Sequence, residues 1–126
     1  LERLMVVKST ERATPDQRRA FEVLAKHFES VDKDFEMLFN LGYRLDELLD
    51  TACHNPFLVK ALTSMRSQCR RVWYLRRNEL DRAYSAQLLG GLARAVANQD
   101  VADAIRAMNE LIAILEKLVA GLDVIS

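Results

Sequence analysis

Asp46, Asp50 and His54 stand four residues apart in the stretch "GYRLDELLDTACHNPFL", Gly42 to Leu58. On a helix that spacing stacks three side chains on one face. Two carboxylates and an imidazole are a plausible ligand set for a divalent ion. Yet Asn55-Pro56, a helix-starting pair, follows directly. A helix join there turns His54 away from the two acids and weakens the metal reading. His27, the other histidine, lies among Lys26 and Glu29 on a polar helix face. Neither histidine has the nearby nucleophile or Gly-rich elbow that covalent catalysis needs. The carboxylates fit helix faces and helix starts, with no pair marked out for acid–base work. No catalytic residue is assigned, and the chain is not read as an enzyme.

A second stretch, "RSQCRRVWYLRR", packs Arg66, Arg70, Arg71, Arg76 and Arg77 around Trp73 and Tyr74. Cations interleaved with aromatics can grip phosphate and stack on bases. The whole chain, however, balances 18 Lys and Arg against 18 Asp and Glu. Zero net charge argues against a domain that coats nucleic acid or an anionic membrane. An apolar stripe also runs through the segment. Most of its arginines are therefore expected on a solvated face, their stems covering the core. One or two turned inward would suit a carboxylate ligand, because a guanidinium is a two-pronged donor.

The elements that must position these groups are helices. Among 126 residues, enough for one domain, half are apolar and only two prolines and four glycines occur. "LERLMVVKST" reads as the tail of a helix entering from upstream. Thr14 caps a second helix, with Pro15 at its first position and Gln17 completing a capping box. Its inward side is Ala20, Phe21, Leu24, Ala25 and Phe28. A third helix carries Phe35, Leu38, Leu41, Leu45, Leu48, Leu49 and Ala52. The fourth, capped by Asn55, carries Leu58, Leu62, Met65, Cys69 and Val72 and ends near Arg76 to Asn78. In the fifth, Leu88, Leu92, Ala95 and Val96 point inward. Gly90-Gly91 there signals close helix packing, a ligand's approach, or simple tolerance. Asp100 caps the last helix, whose stripe is Val101, Ile105, Met108, Ile112, Leu115, Val119 and Leu122. Leu111, Ile114 and Leu118 widen that stripe enough to bury two faces. The expected fold is all-α: an antiparallel bundle of about six helices forming a single domain over residues 1–126.

Cys53 and Cys69 are too few for a disulfide scaffold and read as small buried side chains in a reducing compartment. No apolar run reaches the length of a membrane span, so no membrane partner is expected. The chain begins with Leu, which suggests a cut point within a longer protein.

Three strings in this helix order carry a resemblance. They are "ERATPDQ" at the second helix, "LLDTACHNPFL" at a helix join, and "LARAVANQDVADAIRAMNELI" across the last turn. With Asn55, Leu58, Asp100, Ala104 and Met108 at the expected places, the chain resembles the FCD domain. This is the C-terminal effector domain of GntR-family transcription regulators of the FadR type. The resemblance implies a cytoplasmic, usually dimeric, helical domain with a small effector, often a carboxylate, in a central cavity. DNA would be bound only by a winged-helix domain that lies N-terminal to this chain and is absent from it.

Many members of the family hold a metal with an Asp, a His four residues later, and one His in each of the last two long helices. Those positions here are Gly42, Asp46, Leu89 and Leu111. Two leucines cannot ligate, and one carboxylate does not hold a transition ion by itself. No metal and no cofactor are therefore expected. The loss implies a more apolar cavity that suits an effector with a longer hydrocarbon portion, as in FadR-type members that bind acyl-coenzyme A. The alternative is a filled-in bundle that serves only dimerisation. Asp46, Arg66, Arg70, Leu89 and Leu111 are the pocket candidates, with Arg66 or Arg70 expected to pair with Asp46. The last helix and the arginine-rich fourth helix are the candidate dimer faces.

Overall fold

The computed structural model describes residues 1–121 in full and the path of the last helix to residue 125. Six helices follow one another: α1 (Glu2–Arg12), α2 (Pro15–Phe28), α3 (Phe35–Cys53), α4 (Pro56–Leu75), α5 (Arg82–Ala97) and α6 (Val101–Ile125). No strand occurs among the described residues. The fold is an all-α bundle. α2 lies along α5, α5 along α6, and α1 is wedged against α3 and α6. α4 is the outlier and touches mainly α6 and the start of α1.

Local chemistry sets the helix limits. The Thr14 hydroxyl accepts from the Gln17 amide at 3.2 Å, and Gln17 Oε1 accepts from the Thr14 amide at 2.9 Å. These two bonds satisfy donors that a helix start otherwise leaves open. Asp34, Asn55, Asp81 and Asp100 cap α3 to α6 in the same way, each accepting from an amide three residues on. At the other end of α3, His54 adopts a left-handed conformation, φ 52°, and stops the helix. Arg12 Nη1 donates to the freed Cys53 carbonyl at 2.9 Å, and Ser9 Oγ donates to the Leu49 carbonyl at 2.8 Å. α1 is thus stitched to α3 by hydrogen bonds as well as by Met5 and Val6, both fully buried.

The structure departs from the sequence pattern in register. α1 begins at Glu2 and continues to Arg12, past the expected end. On α4 the inward line is Leu58, Leu62 and Arg66, while Met65 is exposed. Leu58 and Leu62 face inward as expected, and Arg66, opposite the carboxylates of α1 and α3, takes the buried place that the stripe gives to Met65. On α6 the buried line is Ala104, Met108, Leu111 and Leu118; Ile105, Ile112 and Leu115 flank it, and Val119 is exposed. Leu122 lies outside the described side chains.

The paired glycines of α5 have different settings. A Cβ on Gly90 would sit 3.1 Å from Phe28 Cβ and 3.5 Å from the Ala25 carbonyl, so the absence of a side chain lets α2 and α5 approach. A Cβ on Gly91 would meet nothing within 4 Å. Gly91→Ala is therefore expected to stabilise the fold by up to about 1 kcal/mol through helix propensity. Gly90→Val is expected to destabilise it by about 1–3 kcal/mol through overpacking against Phe28. Urea denaturation of the two variants checks this, and equal effects would contradict the close α2–α5 contact.

Candidate functional site

A cavity of about 150 Å³ opens between α3, α4 and α6. Its walls are mainly apolar: Leu38 and Phe39 from α3, Leu89 from α5, and Met108, Leu111, Ile112 and Leu115 from α6. One end is polar, formed by Glu2 of α1, Asp46 of α3, and Arg66 and Arg70 of α4. Gly42 lies on the same wall as Asp46, one helical turn back. A Cβ there would meet nothing within 4 Å, so the missing side chain enlarges the cavity.

Arg66 is the centre of the polar end. It is 5% exposed, a depth at which a charge is costly unless carboxylates meet it. Its Nε lies 3.4 Å from Glu2 Oε1 and 3.9 Å from Asp46 Oδ1, and its Nη1 pairs with Asp50. Nη2 is buried and has no hydrogen-bond partner. Arg70 Nη2 donates to Asp46 Oδ2 at 2.8 Å, while its guanidinium stacks 3.7 Å over the Tyr43 ring. The cluster therefore holds three carboxylates against two guanidiniums.

The depth of the cluster shows in the titration of its members. Burial pushes the Asp46 carboxyl above the ordinary carboxylate range, although Arg66 and Arg70 pull it back down. Glu2 is raised in the same way, with burial outweighing Arg66 and with Asp46 adding to the rise. Burial works against the Arg66 cation too, but Asp46, Asp50 and Glu2 more than offset this and raise its pKa. Burial and the nearby Glu2 and Asp46 push the Cys69 thiol up, so this cysteine on the cavity wall is not a thiolate nucleophile.

Every residue singled out from sequence for this pocket lines the same cavity: Asp46, Arg66, Arg70, Leu89, Leu111 and the metal-position Gly42. Asp46 and Asp50 do share a face, but the cation between them is Arg66 rather than a metal. His54 and His27 are both exposed. Among the described residues, no three His, Cys, Asp or Glu side chains converge to hold an ion. The one donor at the family's metal positions, Asp46, is already bonded to Arg70. This donor set does not fit a transition metal. Elsewhere on α4, Arg71 is exposed, Arg77 lies 4.4 Å over the Tyr74 ring, and Arg76 crosses Gly121 of α6.

Sequence reasoning did not place Glu2, Tyr43 or Trp73 in the site. A signal for Glu2 exists: it stands three, four and seven residues before Met5, Val6 and Ser9, on the buried face of α1. Its partner Arg66 is 64 residues away, so no local string could show the pair.

The FCD domain family model matches residues 1–113. The chain belongs to that family, the C-terminal effector-binding domain of GntR-family regulators. No match was found among curated proteins or among solved structures.

Replacing Arg66 by Met should cost about 3–5 kcal/mol near pH 7, because carboxylates would stay buried without their cation. The cost should shrink in acid as those carboxylates protonate. For Asp46 the direction is opposite. A carboxyl whose folded pKa is raised contributes stability that is complete below its unfolded pKa and is lost as pH rises through the folded value. Asp46→Asn removes this loss, so its stability relative to the native chain should climb as pH rises from the ordinary aspartate range towards neutrality. Paired denaturation curves across that range measure it; a flat difference would mean that Asp46 is solvated.

Proposed function

We propose that this domain senses a small carboxylate-bearing effector in the cavity between α3, α4 and α6. It passes the binding event to a winged-helix DNA-binding domain carried elsewhere in the same regulator. The observation that carries this reading is Arg66: a buried guanidinium with an unpartnered nitrogen, at the polar end of an otherwise apolar cavity. A carboxylate offers the acceptor that such a donor lacks. The apolar wall then selects the body of the ligand. The cavity also favours this reading over a ligand-free dimerisation module, which would gain stability by filling the space.

Coupling follows from where the charges sit. Glu2 belongs to the first turn of α1, and it shares Arg66 with Asp46 and Asp50 on α3. A ligand that engages Arg66 competes with these carboxylates and biases how α1 is held against α4. Effector affinity and the position of α1 are then linked, and each alters the other by the same free energy. The working regulator is proposed to be a cytoplasmic homodimer. In support, α4 leaves Phe57 86% exposed and Leu75 59% exposed, and Leu1 beside α1 is 64% exposed. Large exposed apolar side chains of this kind suit a subunit contact.

The test is a thermal-shift screen of the 126-residue chain against organic acids of graded size. A true effector at a hundredfold excess over its Kd should add about 2.7 kcal/mol of stability. Gly42→Leu provides the control. It fills the cavity from a position with open space and improves helix propensity, so the variant should stay folded and lose the response. Equal responses in both proteins would place the ligand elsewhere. No response to any acid would remove the effector reading.

A further inference from the structure

The effector reading leaves open what charge and size the cavity accepts, and the polar cluster constrains both. Around Asp46 stand Glu2 from α1, Asp50 on α3, and Arg66, Arg70 and Cys69 on α4. Residues that α5 and α6 contribute to the lining carry no charge. With three carboxylates already facing two guanidiniums, a ligand carboxylate would be a fourth acid in a largely desolvated site. Like charges so close do not all stay ionised. Either the ligand is excluded or one of the acids takes a proton.

We infer that the cavity binds its effector as a compact monocarboxylate together with one proton, and that Asp46 holds the proton. The balance is simple: the ligand enters as an anion, one proton comes from solution, and the cluster keeps its charge. Asp46 is the position best placed for this. It reaches both arginines, with Oδ2 accepting from Arg70 at 2.8 Å and Oδ1 lying 3.9 Å from Arg66 Nε. Once protonated, Asp46 keeps the Arg70 bond through Oδ2 and donates to the ligand through Oδ1. Arg66, which lines the same end, supplies the second contact when a small turn of its side chain brings the unpartnered Nη2 to the ligand. This inference rests on the effector reading and narrows it.

Size follows from volume. A space of about 150 Å³ is comparable to the apolar cavity that accepts a benzene ring. Its walls enclose one ring or a short branched chain, and the rest of a long acyl chain would extend out of the open side without apolar contacts. Di- and tricarboxylates are disfavoured as well, because each further charge needs a further proton.

The experiment uses benzoate, 3-methylbutanoate, dodecanoate and citrate, with benzamide as the uncharged analogue of benzoate. Binding to the native chain is measured by calorimetry from pH 6 to 8, in buffers of different ionisation enthalpy. The expected result is binding of the two compact monocarboxylates with uptake of about one proton, affinity falling about tenfold per pH unit. Benzamide affinity should be flat. Asp46→Asn should bind benzoate without proton uptake and with no slope in pH, whereas Glu2→Gln should keep the slope. Binding without proton uptake, a slope that survives in Asp46→Asn, or preference for citrate or dodecanoate would overturn the inference and leave the effector reading standing. So would benzamide binding in the cavity without benzoate. No binding by any compound at any pH would overturn both.

Discussion

A guanidinium that is 5% exposed needs counter-charges, and no single helix supplies them. Arg66 is the only charged residue fully buried among the described ones. Its counter-charges come from Glu2 on α1 and from Asp46 and Asp50 on α3. That requirement is met with Arg66 on the buried face of α4, the first turn of α1 inward, and the two acids of α3 towards the fourth helix. Apolar packing of α4 rests on buried Leu58 and Leu62, with Val59, Val72 and Trp73 partly buried against the core. The electrostatic cluster adds a polar anchor to this packing, at one end of the cavity.

The rest of the bundle is packed in the opposite manner. Phe21, Leu24, Leu38, Leu45, Leu49, Leu92 and Val96 are almost wholly excluded from water, and Gly90 lets α2 and α5 close to contact distance. The cavity of about 150 Å³ leaves apolar side chains of α3, α5 and α6 without the contacts that the rest of the core makes. A fold that packs this well on one side and leaves a lined opening on the other has accepted instability at one place. Binding sites often show that pattern, because the groups that serve a ligand are rarely those that serve stability.

Much of this was readable before any coordinates. Three helix starts were legible because Thr14, Asn55 and Asp100 act on amides three residues away, well within a local string. The family pattern pointed to Gly42, Asp46, Leu89 and Leu111, and these four line one cavity. Two things were not legible. The buried place of Arg66 depends on charges distant in sequence, and a hydrophobic stripe naturally favours Met65 over Arg66. The role of α1 was hidden for the same reason. Its Glu2 gains meaning only through Arg66, and a short helix at the edge of a pattern reads as a tail. On α6 the apolar residues run nearly all round, so periodicity fixed the helix but left its inward line one residue uncertain.

Gly42 has a consequence of a different kind. It stands in the middle of a helix, where a glycine has no conformational task, and its missing Cβ faces open space. It touches none of the charged groups proposed to anchor a ligand's head. Side chains of increasing length at this one position would shorten the cavity step by step while the arginines and acids stay as they are. Under the proposed effector reading, ligand length and ligand charge would be set by separate residues. Selection could then move the domain from one effector to a shorter or longer relative by changing a single codon, without rebuilding the electrostatic cluster.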